Sequence, residues 1–359
     1  MSDQVLLTGA AGLVGAEVAV RLERAGRPVV AVLHAACDLA LGDGTTVSVT
    51  DRVAGDVREP GLGFDQQTLA RLGRDVGLIV HCAATTAFDA TDEQYRRLNV
   101  DGTRHALDLA RCWQVPFLHV STAYVCGLRG GTIAEDELDA GQRFGNGYER
   151  SKFAAEQLVE QAAAEGLPVA TVRPGIVAGA HDDGVIRDYK NLYTVVKLMV
   201  EGKLRMLPGR YDATLSLAPV DHVADVVAEV ARRLPDGVAG RCFHALGSHP
   251  LTLRELSDVL AEYPSFEVAT FVPESAFDAQ ALDPIEREYY RRVGSLYTSY
   301  FARRLAFATD NADALLGRPA PECGPDYLRL LLDHCLDSGY LGAPLPSVQQ
   351  ILARMGASR

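Results

Sequence analysis

The sequence predicts an α/β fold in which a doubly wound parallel sheet carries helices on both faces and a smaller C-terminal region follows. In the first half of the chain, short β-rich apolar runs alternate with helical patterns, which is typical of such a sheet. A glycine-rich turn at residues 9–15 joins the first predicted strand to the first predicted helix. The 359 residues are enough to bury a large core.

The pattern of apolar residues places the elements in order. Strands are predicted at residues 5–7, 29–33, 53–55 (the end of the third strand), 78–81, 117–121 and 169–173. Helices are predicted at residues 13–25, 92–112, 148–165 and 220–234. Gly26 and Gly166 follow two of these helices, where glycine commonly forms the C-terminal cap. Pro174 ends the sixth strand.

The glycine turn has the context of a phosphate-binding loop, because it follows a strand and opens a helix. Gly9 allows the tight turn, Gly12 lets the backbone approach a pyrophosphate, and Gly15 lets the helix pack on the sheet. Leu13 and Val14 begin the helix, whose N-terminal amides would hold the anion. The sequence therefore predicts a Rossmann-type dinucleotide site, with a ligand-free glycine loop as the alternative.

The alternation of strands and helices weakens after residue 177, and this change predicts two regions. Residues 1–177 are expected to form the dinucleotide-binding domain, to which residues 216–240 return. Residues 178–215 and 241–359 carry proline and glycine breaks and clustered aromatic residues. They predict a smaller substrate-binding region, built partly from C-terminal segments.

Charge and composition narrow the class of protein. A net charge of −12 argues against nucleic acid as a partner, because phosphate binding needs a basic surface. Apolar runs too short for a membrane span, and an N-terminus unlike a signal peptide, predict a cytoplasmic protein without a membrane partner. Seven cysteines, Cys37 among them, form no Cys-x-x-Cys pair and predict reduced thiols. No cluster has metal-ligand spacing, so no metal is expected.

Three further segments are candidates for contacts with the cofactor. The second strand ends at His34 with no acid at its tip, which favours NADP(H) and leaves NAD(H) as the alternative. Asp56 and Val57 follow the third strand, where a carboxylate could accept a hydrogen bond from an adenine amino group. Ala83 and Ala84 follow the fourth, and their small side chains let a flat cofactor lie on the backbone. Surface, turn and packing roles are the respective alternatives.

A hydroxyl, a phenol and an ammonium follow the glycine turn along the chain. Tyr148 and Lys152 lie four residues apart on a predicted helix and so share a face. An ammonium beside a phenol lowers the pKa of the phenol, which can then exchange a proton with a substrate oxygen. Ser121 and Thr122 stand where the fifth strand ends, at the edge of the sheet that binds ligands. Asn99 lies inside a helix, where a structural tie is favoured over catalysis.

Together these pieces resemble the extended short-chain dehydrogenase/reductase family, in family order and over about the first half of the chain. The matching stretches are residues 8–15, 55–57, 81–84, 99–103, 120–127, 148–152 and 173–175. Within that family the chain looks most like the thioester reductase and fatty acyl reductase branch. This finer resemblance rests on residues 61–64, 119–125, 147–156 and 218–225. His34 stands where enzymes of that branch commonly have arginine.

The resemblance implies a role for each candidate residue. Tyr148 would be the general acid towards a carbonyl oxygen, and Lys152 would bind the nicotinamide ribose and lower the pKa of Tyr148. Thr122 is implied over Ser121 as the catalytic hydroxyl, because that hydroxyl lies five residues before Gly127 in the family pattern. The expected cofactor contacts are Gly9, Gly12, Leu13, Val14, Gly15, His34, Asp56, Val57, Ala83, Ala84, Asn99, Lys152, Pro174 and Gly175.

The favoured function is delivery of hydride to a carbonyl of a biosynthetic intermediate. The branch resemblance implies an acyl thioester on an acyl carrier protein or coenzyme A arm, with an aldehyde or ketone as the variant. A basic and aromatic segment at residues 285–305 could hold such an arm, with domain packing as its alternative. A nucleotide-sugar epimerase or dehydratase with retained NAD is the second hypothesis, and a non-catalytic cofactor sensor is the third. The sequence also allows a homo-oligomer.

Overall fold

A seven-stranded parallel sheet forms the centre of the computed structural model, which describes residues 3–35, 38–234 and 237–342. Its strands are β1 (Gln4–Thr8), β2 (Val29–Leu33), β3 (Asp51–Ala54), β4 (Val76–His81), β5 (Phe117–Val120), β6 (Val169–Pro174) and β7 (Cys242–Ala245). Their order is β3-β2-β1-β4-β5-β6-β7, so the chain winds outward in both directions from β1 and β4. In such a sheet, ligands bind beyond the carboxyl ends of these two strands. Cys37 and residues 343–359, to which two of the predictions refer, lie outside the described residues.

Helices cover both faces of the sheet, which confirms the predicted doubly wound fold. The longer ones are α1 (Leu13–Arg24), α2 (Gln66–Asp75), α3 (Gly102–Trp113), α4 (Gly147–Ala164), α5 (Leu192–Val200), α6 (Val220–Arg233), α7 (Leu253–Leu260), α8 (Pro284–Arg292), α9 (Asp310–Leu316) and α10 (Pro325–Asp337). Successive residues of a strand point to opposite faces. Accordingly Leu6 of β1 belongs to the apolar cluster with α2, α3 and α4, whereas Leu7 belongs to the cluster with α1 and α6.

The helix predicted at residues 92–112 is observed, but it is not uniform. An α-helical turn, Asp92–Tyr95, begins at a capping box formed by Thr91. The chain continues through a π-helical segment, Arg96–Asp101, into α3. Asn99 lies in this segment and is fully buried. Because π-helical segments are frequent at functional sites, the irregular stretch marks Asn99 as a positioned residue.

The predicted boundary at residue 241 needs a correction, because β7 lies beyond it and belongs to the central sheet. In the parallel pairing with β6, Phe243 lies opposite Val172 and Ala245 lies opposite Pro174. The apolar pattern missed this strand because it is only four residues long and contains His244, which is buried. Residues 242–245 therefore extend the dinucleotide-binding sheet.

Short strand pairs tie the remaining segments into an outer region. Ile176–Ala178 pairs with Leu217–Pro219, Met206–Pro208 with Thr270–Val272, Thr214–Leu215 with Leu251–Thr252, and Gly131–Ile133 with Leu305–Phe307. The buried apolar cluster that contains Leu7 and Val18 continues without a break into Leu207, Phe271 and Phe301. The outer region is therefore packed onto the sheet through a shared core.

Candidate active site

One cleft brings together the glycine turn, the predicted catalytic hydroxyls and the outer region. From the central sheet it is lined by Gly9, Gly12, Leu13, Val14, Gly15, Cys82, Ala84, Thr122, Tyr148 and Gly175. From the outer region it is lined chiefly by Leu192, Val195, Leu215, Tyr297, Tyr300 and Phe301. One wall is therefore glycine-rich backbone and the other is apolar and aromatic. A mostly apolar pocket with a few placed polar groups is typical of a small-molecule site.

The glycine turn is too crowded for side chains, and its helix begins without a side-chain cap. Gly9 has φ +70°, and a Cβ built on it would lie 2.6 Å from the Ala83 nitrogen. A Cβ on Gly15 would overlap the Gly9 oxygen, whereas one on Gly12 would meet that oxygen at 3.2 Å. Gly12 offers α1 no side-chain acceptor, so the first amides of the helix can bind an anion. The turn therefore fits a dinucleotide pyrophosphate, with Ala84 in the cleft and Ala83 behind the turn.

Buried hydrogen bonds behind the turn hold the ends of β1 and β4 together. Thr8 Oγ1 and His81 Nδ1 are 2.8 Å apart. Thr103 donates its hydroxyl to the Asn99 carbonyl at 2.7 Å, so its oxygen accepts from His81 Nε2, 3.2 Å away. Burial lowers the pKa of His81 to about 3, so the ring is neutral and accepts from Thr8 at Nδ1. No role was predicted for His81, although a polar residue that ends an apolar strand was a usable signal.

Tyr148 and Thr122 both line the cleft. Burial raises the pKa of Tyr148 to about 12, and hydrogen bonding with Thr122 partly offsets that rise. Thr122 donates to the Pro174 carbonyl at 3.3 Å, beside Gly175. Ser121 does not line the cleft, and its buried hydroxyl has no hydrogen-bond partner among the described residues. Of the two neighbouring hydroxyls, it is therefore Thr122 that lines the cleft.

Lys152 is buried under the cleft, with 1% of its surface exposed. Its Nζ donates to the Val120 carbonyl at 2.9 Å and lies 3.3 Å from His119 Nε2. Burial lowers the pKa of Lys152 to about 8 and holds the pKa of His119 well below its ordinary value. The expected lowering of the pKa of Tyr148 is not observed: loss of solvent around the phenol dominates and raises it. His119 begins the matching stretch 119–125, but no role was predicted for it, because its contact with Lys152 arises only in the folded chain.

Asn99 ties the loop after β4 to the helix that carries Tyr148. Its Oδ1 accepts from the Thr85 amide at 2.8 Å, and its Nδ2 donates to the Thr85 carbonyl at 3.1 Å and to Ser151 Oγ at 2.9 Å. Ser151 in turn donates to the Tyr148 carbonyl at 2.8 Å. Asn99 therefore holds protein groups together behind the cleft, and its contact with the cofactor stays a prediction.

His34 and Asp56, which follow β2 and β3, both contact Arg58, a residue that was not predicted to lie at the site. Arg58 Nη2 lies 2.6 Å from Asp56 Oδ2 and 2.5 Å from His34 Nε2. Hydrogen bonds from Arg58 lower the pKa of Asp56 to about 2, so this carboxylate is charged at neutral pH. Val57 is buried and packs against α3, where a Cβ on Gly102 would lie 3.1 Å from it. A single arginine in a turn gave no signal in the sequence.

Aromatic side chains from separate parts of the chain form the outer wall of the cleft. The Phe88 ring is stacked on Tyr300, with centroids 5.4 Å apart, and lies 5.2 Å from the ring of Tyr297. On its other side, Phe88 is 5.8 Å from the ring of Tyr148. Tyr300 also contacts Tyr124, with ring centroids 4.8 Å apart. The outer region therefore reaches the predicted general acid through one aromatic contact.

The basic and aromatic segment at residues 285–305 divides between surface and core. Arg291 and Arg292 are exposed on α8, where both pair with Glu288. Arg303 is buried, and its Nη2 lies 2.8 Å from Glu149 Oε1. Because Glu149 follows the predicted general acid directly, Arg303 fixes the start of α4 and is not free to hold a substrate arm.

The remaining observations concern metal binding and membrane-spanning helices. Over residues 3–35, 38–234 and 237–342, no group of three or more His, Cys, Asp and Glu side chains is arranged to hold a metal ion. Within the same residues, no helix combines the length and the apolar character that crossing a membrane requires.

The part of the chain that holds the site residues matches a known protein family. The sequence profile of an NAD-binding family described as male sterility protein matches residues 7–227. This range includes the glycine turn, Thr122, Tyr148 and Lys152. The chain belongs to this family. As a member of it, the chain is an NAD(P)-dependent oxidoreductase of the extended short-chain dehydrogenase/reductase type, as the motifs predicted.

The chain is also similar to individual proteins. It is 29% identical to the isonitrile lipopeptide synthase of Streptomyces coeruleorubidus, over 95% of this chain and 25% of the relative. The terminal R domain from the myxalamid PKS-NRPS pathway superposes with a TM-score of 0.80 at 24% identity, over 96% of this chain and 93% of that one. MoeE5, solved with UDP-glucose and NAD, has a TM-score of 0.67 at 20% identity, over 93% and 99%. These structural matches establish the fold alone. The chain spans a quarter or less of the length of the first curated relatives.

Proposed function

We propose that this chain uses NADPH to reduce the carbonyl of an acyl thioester, with an aldehyde or ketone of a biosynthetic intermediate as the close variant. The observation that carries the proposal is the convergence of the glycine turn and the hydroxyls of Thr122 and Tyr148 on one cleft with an aromatic far wall. The similarity of the chain to a lipopeptide synthase and to a PKS-NRPS R domain supports a biosynthetic thioester as the substrate.

The dinucleotide supplies the hydride when it is bound, and the chain supplies the proton. A phenol with a pKa of about 12 is protonated at neutral pH, so Tyr148 can donate to the carbonyl oxygen as negative charge develops there. Thr122 can turn its hydroxyl from the Pro174 carbonyl towards the same oxygen. At neutral pH the phenol is therefore in the acid form, which is the form that a reduction consumes.

Lys152 is proposed to hold the ribose next to the nicotinamide. Two of its three N–H groups are directed at the Val120 carbonyl and His119, so one remains for a ribose hydroxyl at the floor of the cleft. Asn99 and Ser151 position α4, and with it the pair Tyr148 and Lys152. This arrangement supports a division of roles in which Tyr148 meets the substrate and Lys152 meets the cofactor.

The charges in the cleft favour an acyl substrate over a nucleotide sugar. Asp188 and Lys190 are the charged residues of its lining within the described chain, and their charges cancel. A nucleotide sugar carries a diphosphate, which proteins commonly bind with converging arginines. The apolar outer wall instead suits an acyl chain.

An acyl carrier protein is the partner that we propose. The exposed pair Arg291 and Arg292 gives α8 a basic surface on an otherwise acidic protein, which suits an acidic helix. The similarity to a lipopeptide synthase four times the length of the matched region is consistent with a substrate delivered by a neighbouring carrier.

The test is incubation of the purified chain with NADPH and a panel of acyl thioesters, aldehydes, ketones and nucleotide sugars. We expect one NADPH to be consumed for each thioester reduced to aldehyde, with release of the free thiol as the C–S bond breaks, and a second NADPH to be consumed where the aldehyde is reduced further to alcohol. Interconversion of a nucleotide sugar without net loss of NADPH, and without reduction of the other compounds, would replace this proposal with the epimerase hypothesis.

A further inference from the structure

The order of the sheet brings the tip of β2 beside the tip of β3. Leu33, the last residue of β2, lies opposite Ala54, the last residue of β3. The turns that follow both strands therefore occupy the position where the adenosine ribose of a dinucleotide lies in this fold. A 2′-phosphate is usually met there by an arginine at the end of β2, but this chain has His34 at that position.

An arginine from the neighbouring turn reaches the same place. Arg58 Nε and Nη2 donate to Asp56 at distances of 2.6–2.9 Å, and Nη2 also lies 2.5 Å from His34 Nε2. Nη1 has no hydrogen-bond partner among the described residues. The guanidinium is thus fixed by two side chains and still has donors to offer, with a third of its side chain exposed.

We propose that Arg58 recognises the 2′-phosphate of NADPH, in place of a cation on β2. This inference rests on the proposed function, because it takes the pyrophosphate to lie on the glycine turn and the ribose beyond β2. A guanidinium fork matches the geometry of a phosphate and stays charged at every working pH. Asp56 and His34 act as positioning residues, which hold the guanidinium in the direction of the ribose.

Two charges compete for the phosphate at this point. Asp56 repels it, but the carboxylate is already compensated by the two Arg58 nitrogens that donate to it. The ion pair carries no net charge, so the preference for the phosphorylated ribose depends on the hydrogen bonds that the free Nη1 of Arg58 can donate to the phosphate. Because the site is partly exposed to solvent and salt, we expect about tenfold discrimination, the lower end of what a charge-assisted hydrogen bond gives.

The experiment measures binding of two nicotinamide-free probes to the full chain by calorimetry. Adenosine 2′,5′-bisphosphate carries the phosphate in question, and AMP lacks it. The wild-type chain should bind the bisphosphate about tenfold more tightly than AMP. Arg58→Gln should lose that preference and keep its affinity for AMP, whereas Arg58→Lys should keep part of the preference, because it retains the charge without the fork.

A matched control comes from the adjacent segment. Arg97 is also exposed and lies 3.7 Å from Glu59, which follows Arg58 in the chain. Arg97→Gln should leave the affinities for both probes unchanged. If the wild-type chain binds the two probes equally, or if Arg58→Gln weakens both equally, the proposal is overturned, and thermal unfolding of each variant shows whether the turn has been disrupted.

Turnover separates this inference from the proposed function. If the wild-type chain reduces a thioester but Arg58→Gln keeps the wild-type preference for the bisphosphate, the role of Arg58 is contradicted and the proposed function stands. If the chain binds the bisphosphate selectively but reduces no thioester, aldehyde or ketone, the proposed function is contradicted. The role of Arg58 in recognising the 2′-phosphate then stands. NADH-dependent turnover preserved in Arg58→Gln, together with lost bisphosphate selectivity, supports both.

Discussion

The two walls of the cleft are built in different ways. The cofactor wall is backbone: Gly9, Gly12 and Gly15 lie so close to neighbouring main chain that a side chain on Gly9 or Gly15 would collide with it. The outer wall is made of side chains, such as Phe88 and Tyr300, brought from segments far apart in the sequence. Substitutions in the backbone wall collide with neighbouring main chain. Side chains of the outer wall, by contrast, can be exchanged one at a time without loss of the fold.

This difference indicates how such a protein can diversify. If the dinucleotide binds as proposed, it lies on a turn in which Gly9 and Gly15 leave no space for a side chain. The choice of substrate would depend on the aromatic and aliphatic residues of the outer wall. Exchanging one of them changes the local packing but leaves the glycine turn intact, because volume-conserving exchanges in a packed site are tolerated. Substitutions on the two walls can test this contrast, and we expect the most damage from a change on the cofactor wall.

The largest effect is expected for Gly9→Ala on the cofactor wall. The new Cβ would lie 2.6 Å from the Ala83 nitrogen at a residue with φ +70°. Steric overlap and the left-handed backbone together cost about 2–5 kcal/mol. We expect binding of NADPH to weaken by about 100-fold or more, as measured by fluorescence titration.

Gly26→Ala is the matched control for this change. Gly26 has φ +75°, but a Cβ there meets nothing within 4 Å, so only the backbone penalty applies. That variant should lose a little thermal stability and bind NADPH normally. Equal NADPH affinities in the two variants would show that crowding of the turn is irrelevant, and the contrast between the walls would fail.

The second effect is expected for Tyr148→Phe, where the two walls meet. The change removes one oxygen, so turnover should fall by at least about 10²-fold, the usual contribution of a general acid. NADPH affinity should stay near the wild-type value. Tyr297→Phe makes the same change on the outer wall and should leave turnover largely intact. Near-normal turnover in Tyr148→Phe would exclude Tyr148 as the proton donor.

The same contrast explains what could be predicted from the sequence. The glycine turn, the strand ends and the pair Tyr148 and Lys152 were predictable, because backbone geometry and helical spacing impose local patterns. The outer wall was not, because Phe88 and Tyr300 meet only through tertiary packing. The raised pKa of Tyr148 was also unpredictable, since burial dominates it and burial is not encoded in a four-residue spacing. Arg58 escaped notice for a similar reason, because its importance comes from the order of strands.

The third effect concerns His119, which accepts a hydrogen bond from Lys152 under the cofactor wall. The pKa of Lys152 is about 8, so its ammonium is present below that pH and is lost above it. We expect kcat/KM for NADPH to fall as pH rises through about 8, while the phenol of Tyr148, with a pKa of about 12, adds no limb below pH 10.

Loss of the His119 acceptor should move that limb. In His119→Leu the buried ammonium is less favoured, so the fall should begin at lower pH and NADPH affinity should drop by about tenfold. Glu156, Cys82 and His81 also face Lys152 and stay unchanged. His119→Gln offers an amide oxygen and should restore most of the wild-type profile. A limb that stays in place in His119→Leu would contradict the positioning role.

The smallest effect should come from the surface of the outer region. Arg291→Glu with Arg292→Glu reverses the charge of α8 and should raise KM for an acyl carrier substrate by about three- to fivefold, the scale of exposed charge contacts. KM for a small aldehyde should not change, because neither arginine lines the cleft. The control is Arg232→Glu with Arg233→Glu on α6, where two arginines likewise pair with one glutamate, Glu229. An equal rise in KM with both double variants would mean that net charge acts alone, whereas a rise confined to α8 that disappears at high salt would place the carrier on that helix.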